Sequence, residues 1–71
     1  MDPKVGQRWL WVGGTSKEIV EIIAVEHVQK YRCAILQVWY GENSVGDVRT
    51  YTFLNRTDWS YLPGQDNNSH F

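Results

Sequence analysis

Apolar residues in this chain fall into five short runs separated by breaks rich in Gly, Pro and Asn. The most continuous run, YRCAILQVWY at 31–40, holds ten residues without Gly, Pro, Asn or Asp. Its β-branched and aromatic content predicts a strand. Alternation places Ala34, Leu36 and Val38 on one face and Cys33, Ile35 and Trp39 on the other. A strand apolar on both faces must be covered on both or bend between them. Residues 31–40 are therefore expected to form the central strand of a small curled sheet.

The other runs are read against this one. Residues 7–12 predict a first strand with Trp9 and Trp11 on one face and Arg8, Leu10 and Val12 on the other. Gly13-Gly14-Thr15-Ser16 then supplies turn chemistry through glycines free to take positive φ. The run EIVEIIAVEH at 18–27 is ambiguous by period, because Ile19, Ile22, Ile23 and Glu26 also fit one side of a helix. Its β-branched residues and the lack of a capping box favour a strand. In that strand Val20, Ile22 and Ala24 point inward, and Glu18 and Glu26, which share their parity, fray to solvent at the ends. A turn near 28–30 joins it to residues 31–40 in a long hairpin. Val5-Gly6-Gln7 and Val45-Gly46-Asp47 look alike and are both read as a glycine bend delivering the chain into a strand. The second bend leads into a strand at 48–52. A last short strand at 59–62 is stopped by Pro63-Gly64, and residues 65–71 are expected to form a flexible tail. Five strands at roughly ten-residue spacing predict an all-β fold, a five-stranded small barrel over residues 1–64.

Composition sharpens this picture in three places. The chain has 71 residues, one cysteine and ten aromatic rings. A domain of this length buries only about 60% of its unfolded surface. Cys33 cannot form an internal disulfide and no Cys/His cluster suggests zinc, so rings must supply much of the core. Seven Lys plus Arg against eight Asp plus Glu leave no basic excess for gripping duplex nucleic acid. No apolar run is long enough for a membrane span. A single cysteine and an N-terminus without a secretory apolar region predict an intracellular setting. Asn55-Arg56-Thr57 and Asn67-Asn68-Ser69 match the glycosylation sequon, a short motif that arises readily by chance.

The opening Lys4-Val5-Gly6-Gln7-Arg8-Trp9, the long two-strand middle, Val45-Gly46-Asp47 and the closing Trp59-Ser60-Tyr61-Leu62 resemble the layout of SH3-like barrels of the Tudor and KOW kind. The segment Trp59-Ser60-Tyr61-Leu62-Pro63-Gly64-Gln65-Asp66 is also similar to the ending of short uncharacterised proteins of large DNA viruses and phages. The resemblance implies a fold more than an activity, because such barrels host protein binders, methylated-residue readers, nucleic-acid binders and virus-encoded inhibitors.

Candidate chemistry is sparse. A nucleophile needs a base within reach and a group to orient it. The nearest approach to that pattern is Cys33 with His27, and a mid-strand cysteine more often acts as a small hydrophobe. Asp47 and Asp58 suit local turn bonding better than acid–base work. The chain is therefore expected not to be an enzyme and to need no cofactor or metal. Binding is the better expectation, because ten rings exceed what so small an interior holds, and exposed apolar patches mark recognition sites. The candidate partner-binding residues are Trp11, Trp39, Tyr40, Arg49 and Tyr51, with the rings as anchors and Arg49 as the orienting contact. A protein partner is expected first. A single-stranded nucleic acid or nucleotide is the alternative, using Arg8–Trp9, Arg32–Tyr31 and Arg49–Tyr51 as stacking pairs; a homodimer is left open.

Overall fold

The computed structural model describes residues 2–53 and 56–65. Five strands run through them: β1 (Arg8–Gly13), β2 (Ser16–His27), β3 (Lys30–Tyr40), β4 (Val48–Thr52) and β5 (Trp59–Tyr61), with a 3₁₀ turn at Arg56–Asp58 before β5. All pairings are antiparallel, in the order β4-β3-β2-β1-β5. The ambiguous run is thus a strand, β2, as its β-branched residues predict, and β4 has the expected bounds. The expected centre of the sheet is corrected. That position belongs to β2, because β5 returns beside β1 and places two strands on that side of it. Apart from Gln65, the expected tail lies outside the described residues, as do Leu54 and Asn55.

The sheet is strongly curled. β4 and β5 end it on opposite sides, and no Cα of one comes within 8 Å of a Cα of the other. Yet Tyr51 on β4 has its ring 5.4 Å from that of Trp59 on β5, and Phe53 just past β4 stacks on Trp59 at 3.8 Å. The two edges are bridged by side chains, which makes a small barrel around one core. That core is Trp9, Val20, Ile22, Tyr31, Cys33, Ile35, Phe53 and Trp59.

The two glycine bends behave as expected, and alike. Gly6 and Gly46 have φ of 94° and 96°, a region that a side chain penalises. In each bend the residue after glycine bonds back three residues, Gln7 N–H to Lys4 O and Asp47 N–H to Ser44 O. Each glycine N–H then donates to a core isoleucine carbonyl, Gly6 to Ile22 and Gly46 to Ile35, both at 2.9 Å. The same isoleucines donate in return to Gln7 O and Asp47 O. Matching sequence therefore gives matching geometry on the two outer flanks of the β2–β3 hairpin. The Gly13-Gly14 turn differs from expectation, since neither glycine takes positive φ.

Bulges decide which side chains face inward. Between β2 and β3 the register slips four times, leaving Trp39, Leu36, Ile23 and Glu26 without direct partners. An extra residue in one strand re-aims the side chains beyond it. Past Ile23, Ala24 is only half-buried and belongs to no part of the core, contrary to strict alternation. Past Leu36, Val38 packs against the core and Trp39 turns out to solvent, which reverses the expected faces of that pair.

Candidate binding surface

The nine rings among the described residues sort into two groups. Seven of them form one connected pile inside the barrel. The alternation of β1 sets Trp9 and Trp11 on the inner face, as expected from their spacing. Trp9 meets Phe53 edge-on at 5.5 Å and Tyr61 at 5.4 Å. Trp11 meets Trp59 at 5.8 Å and Tyr51 at 6.3 Å, while Tyr31 joins through Phe53 at 5.0 Å. Offset and edge contacts of this kind each add about 0.5–1.5 kcal/mol beyond the area they bury.

At one end of the pile sits Glu18, fully buried. Its position in β2, opposite Trp11 on one side and Val38 on the other, holds it inside the sheet. The expectation that Glu18 frays to solvent is therefore corrected. β2 begins two residues earlier than predicted, so Glu18 is not a strand end. Its shared parity with Val20 and Ile22 is the signal that points inward. A buried carboxylate needs donors. Tyr51 Oη donates to Oε1 at 2.5 Å and Asn43 Nδ2 to Oε2 at 2.8 Å, and Asn43 Nδ2 also reaches Tyr51 Oη at 3.1 Å. The arrangement ties the 41–47 loop, β2 and β4 into one unit. Burial, and then the adjacent Glu18 carboxylate, push the Tyr51 phenol well above its ordinary pKa, so it stays a donor at neutral pH.

The second ring group is Trp39 with Tyr40 at the end of β3, each 47% exposed. Among the described residues no ring contact joins them to the inner pile. Register aligns Val12, Lys17 and Tyr40 across β1, β2 and β3, and the bulge sets Trp39 beside them. Lys17 places Nζ 4.8 Å from the Trp39 ring centroid, a cation–π contact. Val12 is also exposed. The surface is thus an aromatic pair with an aliphatic neighbour and one cation. Lys17 carries no sequence signal for this role, because its place over the Trp39 ring depends on the bulge.

The five predicted binding residues are therefore not one constellation. Trp11 and Tyr51 are half-buried members of the inner pile. Trp39 and Tyr40 form the outer pair. Arg49 is exposed on β4 and pairs loosely with Asp47 at 3.8 Å. The three arginine–ring pairs are also taken up otherwise. Arg8 is bound to Glu21 at 3.3 Å, Arg32 to Glu26, and the neighbouring rings Trp9 and Tyr31 are buried. Cys33 faces Ile22 across the ladder and His27 faces Lys30, so the two are set apart by the stretch of β3 between Lys30 and Cys33, about 10 Å at roughly 3.3 Å per residue. Burial pushes the Cys33 thiol up to about 12, and its Sγ lies 3.7 Å from Tyr31 O as a weak donor. Among the described residues no group of His, Cys, Asp or Glu is placed to hold a metal ion, and no concave pocket opens.

No family model, curated protein or solved structure matches the chain.

Proposed function

We propose that this chain is an SH3-like barrel acting as a non-enzymatic binding module, and that it recognises a protein partner through the surface around Trp39 and Tyr40. One observation carries the reading. Two adjacent large rings stand half in water at a bulge, outside a connected pile that already takes in seven others. Interface energy concentrates in such aromatic anchors, with a polar rim for orientation. Lys17 takes the orienting role expected of Arg49, since it lies on the Trp39 ring. A shallow aromatic patch suits a protein surface better than a small molecule, which is normally enclosed in a cleft. The nucleic-acid alternative draws little support from arginines already held by carboxylates.

The test uses the immobilised chain as bait in extract of the cells that make it, with and without nuclease and at low and high salt. A protein partner retained by the wild type should bind Trp39→Ala about 2 kcal/mol more weakly. Nuclease should change nothing, and salt little. Retention that survives both Trp39→Ala and Tyr40→Ala, or that nuclease abolishes, rules this reading out.

A further inference from the structure

The sheet has two ends, and they are finished differently. β5 is three residues long, and Pro63, two residues past its end, has no N–H to offer a further strand. That is a blunted edge. β4 is five residues, Val-Arg-Thr-Tyr-Thr, with no Pro, no Gly and no register slip against β3. It meets β5 only through the inward rings of Tyr51 and Phe53 and not through backbone, and an edge left in that state is a template for another strand.

Hydrogen-bond parity shows which backbone groups β4 offers. Ile35 N–H donates to Asp47 O before the strand, and Phe53 N–H donates to Gln29 O after it. Bonded and non-bonded pairs alternate along an antiparallel ladder. Arg49 and Tyr51, opposite Cys33 and Tyr31, therefore turn their N–H and C=O toward β3. Val48, Thr50 and Thr52 turn theirs away from the sheet. These three residues are spaced symmetrically about Thr50.

We infer that β4 pairs edge to edge with β4 of a second copy of this chain, antiparallel, with the two-fold axis at Thr50. In this register Val48 faces Thr52 of the other copy and Thr50 faces its counterpart. Each facing pair exchanges two backbone bonds, so every outward group of both strands is used. A shift by two residues in either direction strands one outward residue of each copy. The side chains agree with the register. On the outer face Thr meets Thr and Val meets Thr, pairs that suit a ladder. On the inner face the exposed Arg49 of each copy lies opposite the half-buried Tyr51 of the other, so no like charges face each other across the axis. The self-complementary pattern selects a second copy over an unrelated extended peptide. The surface is separate from Trp39 and Tyr40 and does not depend on the function proposed above.

The test exploits proline. At Thr50 the N–H points away from β3, so Thr50→Pro removes no ladder bond within the barrel but blocks pairing at the axis. Thr50→Ala keeps the N–H and loses the γ-methyl and the hydroxyl that bonds Glu26. Sedimentation equilibrium is run between roughly 10 μM and 1 mM, where small interfaces associate. Wild type and Thr50→Ala should move toward twice the monomer mass, and Thr50→Pro should associate at least about tenfold more weakly. A wild type that stays monomeric, or a folded Thr50→Pro that dimerises equally well, overturns the inference. Should Thr50→Pro unfold, amide exchange of the wild type decides. The Val48, Thr50 and Thr52 amides should exchange more slowly as concentration rises, and rates independent of concentration overturn the inference too.

Discussion

Trp59 and Trp39 are the same side chain in two kinds of place. Trp59 begins the short strand that closes on β1 and lies flat on Phe53, with Trp11 and Tyr51 against it. Trp39 lies near the end of a longer and more apolar strand, yet stands half in water with Lys17 over its ring. Local hydrophobicity would rank them the other way round. What separates them is the ladder. Trp59 sits in register with Trp11 on the concave face, whereas Trp39 is the residue that the register skips between Val38 and Tyr40. In a barrel this small a ring becomes core or surface through strand pairing and bulges, and composition alone does not decide it.

The comparison breaks first where the energies are largest. Trp59→Ala removes the centre of the ring pile and should lower the unfolding free energy by about 3–5 kcal/mol. That approaches the whole stability of a small domain, so urea titration should find the variant largely unfolded. Trp39→Ala should change stability by less than about 0.5 kcal/mol in the same titration. Equal losses from the two substitutions would erase the distinction between the groups.

The next effect concerns how the pile is anchored. Tyr51→Phe keeps the ring but takes the short donor from buried Glu18. Leaving a buried carboxylate oxygen without that partner should cost about 1–3 kcal/mol, and the near-ultraviolet circular dichroism of the rings should persist. A neutral result would mean that Asn43 or water satisfies Glu18 alone.

A smaller effect comes from Cys33. Its thiol is raised from 9.0 to about 12 by burial. The unfolded chain therefore releases this proton first, and the stabilisation present below pH 9 is lost as pH rises toward 12. By about pH 10 the loss should be roughly 1 kcal/mol, read as a falling urea midpoint. Cys33→Ala should remove most of that slope between pH 9 and 10, where Tyr51, raised from 10.0, adds the smaller part. A slope unchanged by the substitution would show that the thiol is not sealed in the core.

Much of this fold is legible in the amino-acid order, for local reasons. β-branched content separates strand from helix at residues 18–27. The repeated Val-Gly step marks two bends whose hydrogen bonds turn out identical in kind. The spacing of Trp9 and Trp11 is enough to place both on one face. The illegible parts are non-local. That β2 and not β3 lies at the centre results from β5 returning to β1, a pairing about fifty residues apart. The burial of Glu18 is tolerable only because Asn43 and Tyr51 arrive from 25 and 33 residues away. The candidate surface is half legible. A surplus of rings is visible in composition, but Trp11 and Tyr51 enter the pile while Trp39 leaves its strand's inner face at a bulge, and neither shift has a local signature.

The central claim is that ring position divides into a sealed interior and one open pair, and iodide quenching of single-tryptophan variants tests it most directly. Each variant keeps one indole and replaces the other three with phenylalanine, with folding checked by circular dichroism. The Trp39 variant should quench strongly, with a blue shift in emission absent, and the Trp9 and Trp59 variants should be nearly untouched. Strong quenching of Trp59 in a folded variant, or a Trp39 as protected as Trp9, would contradict it.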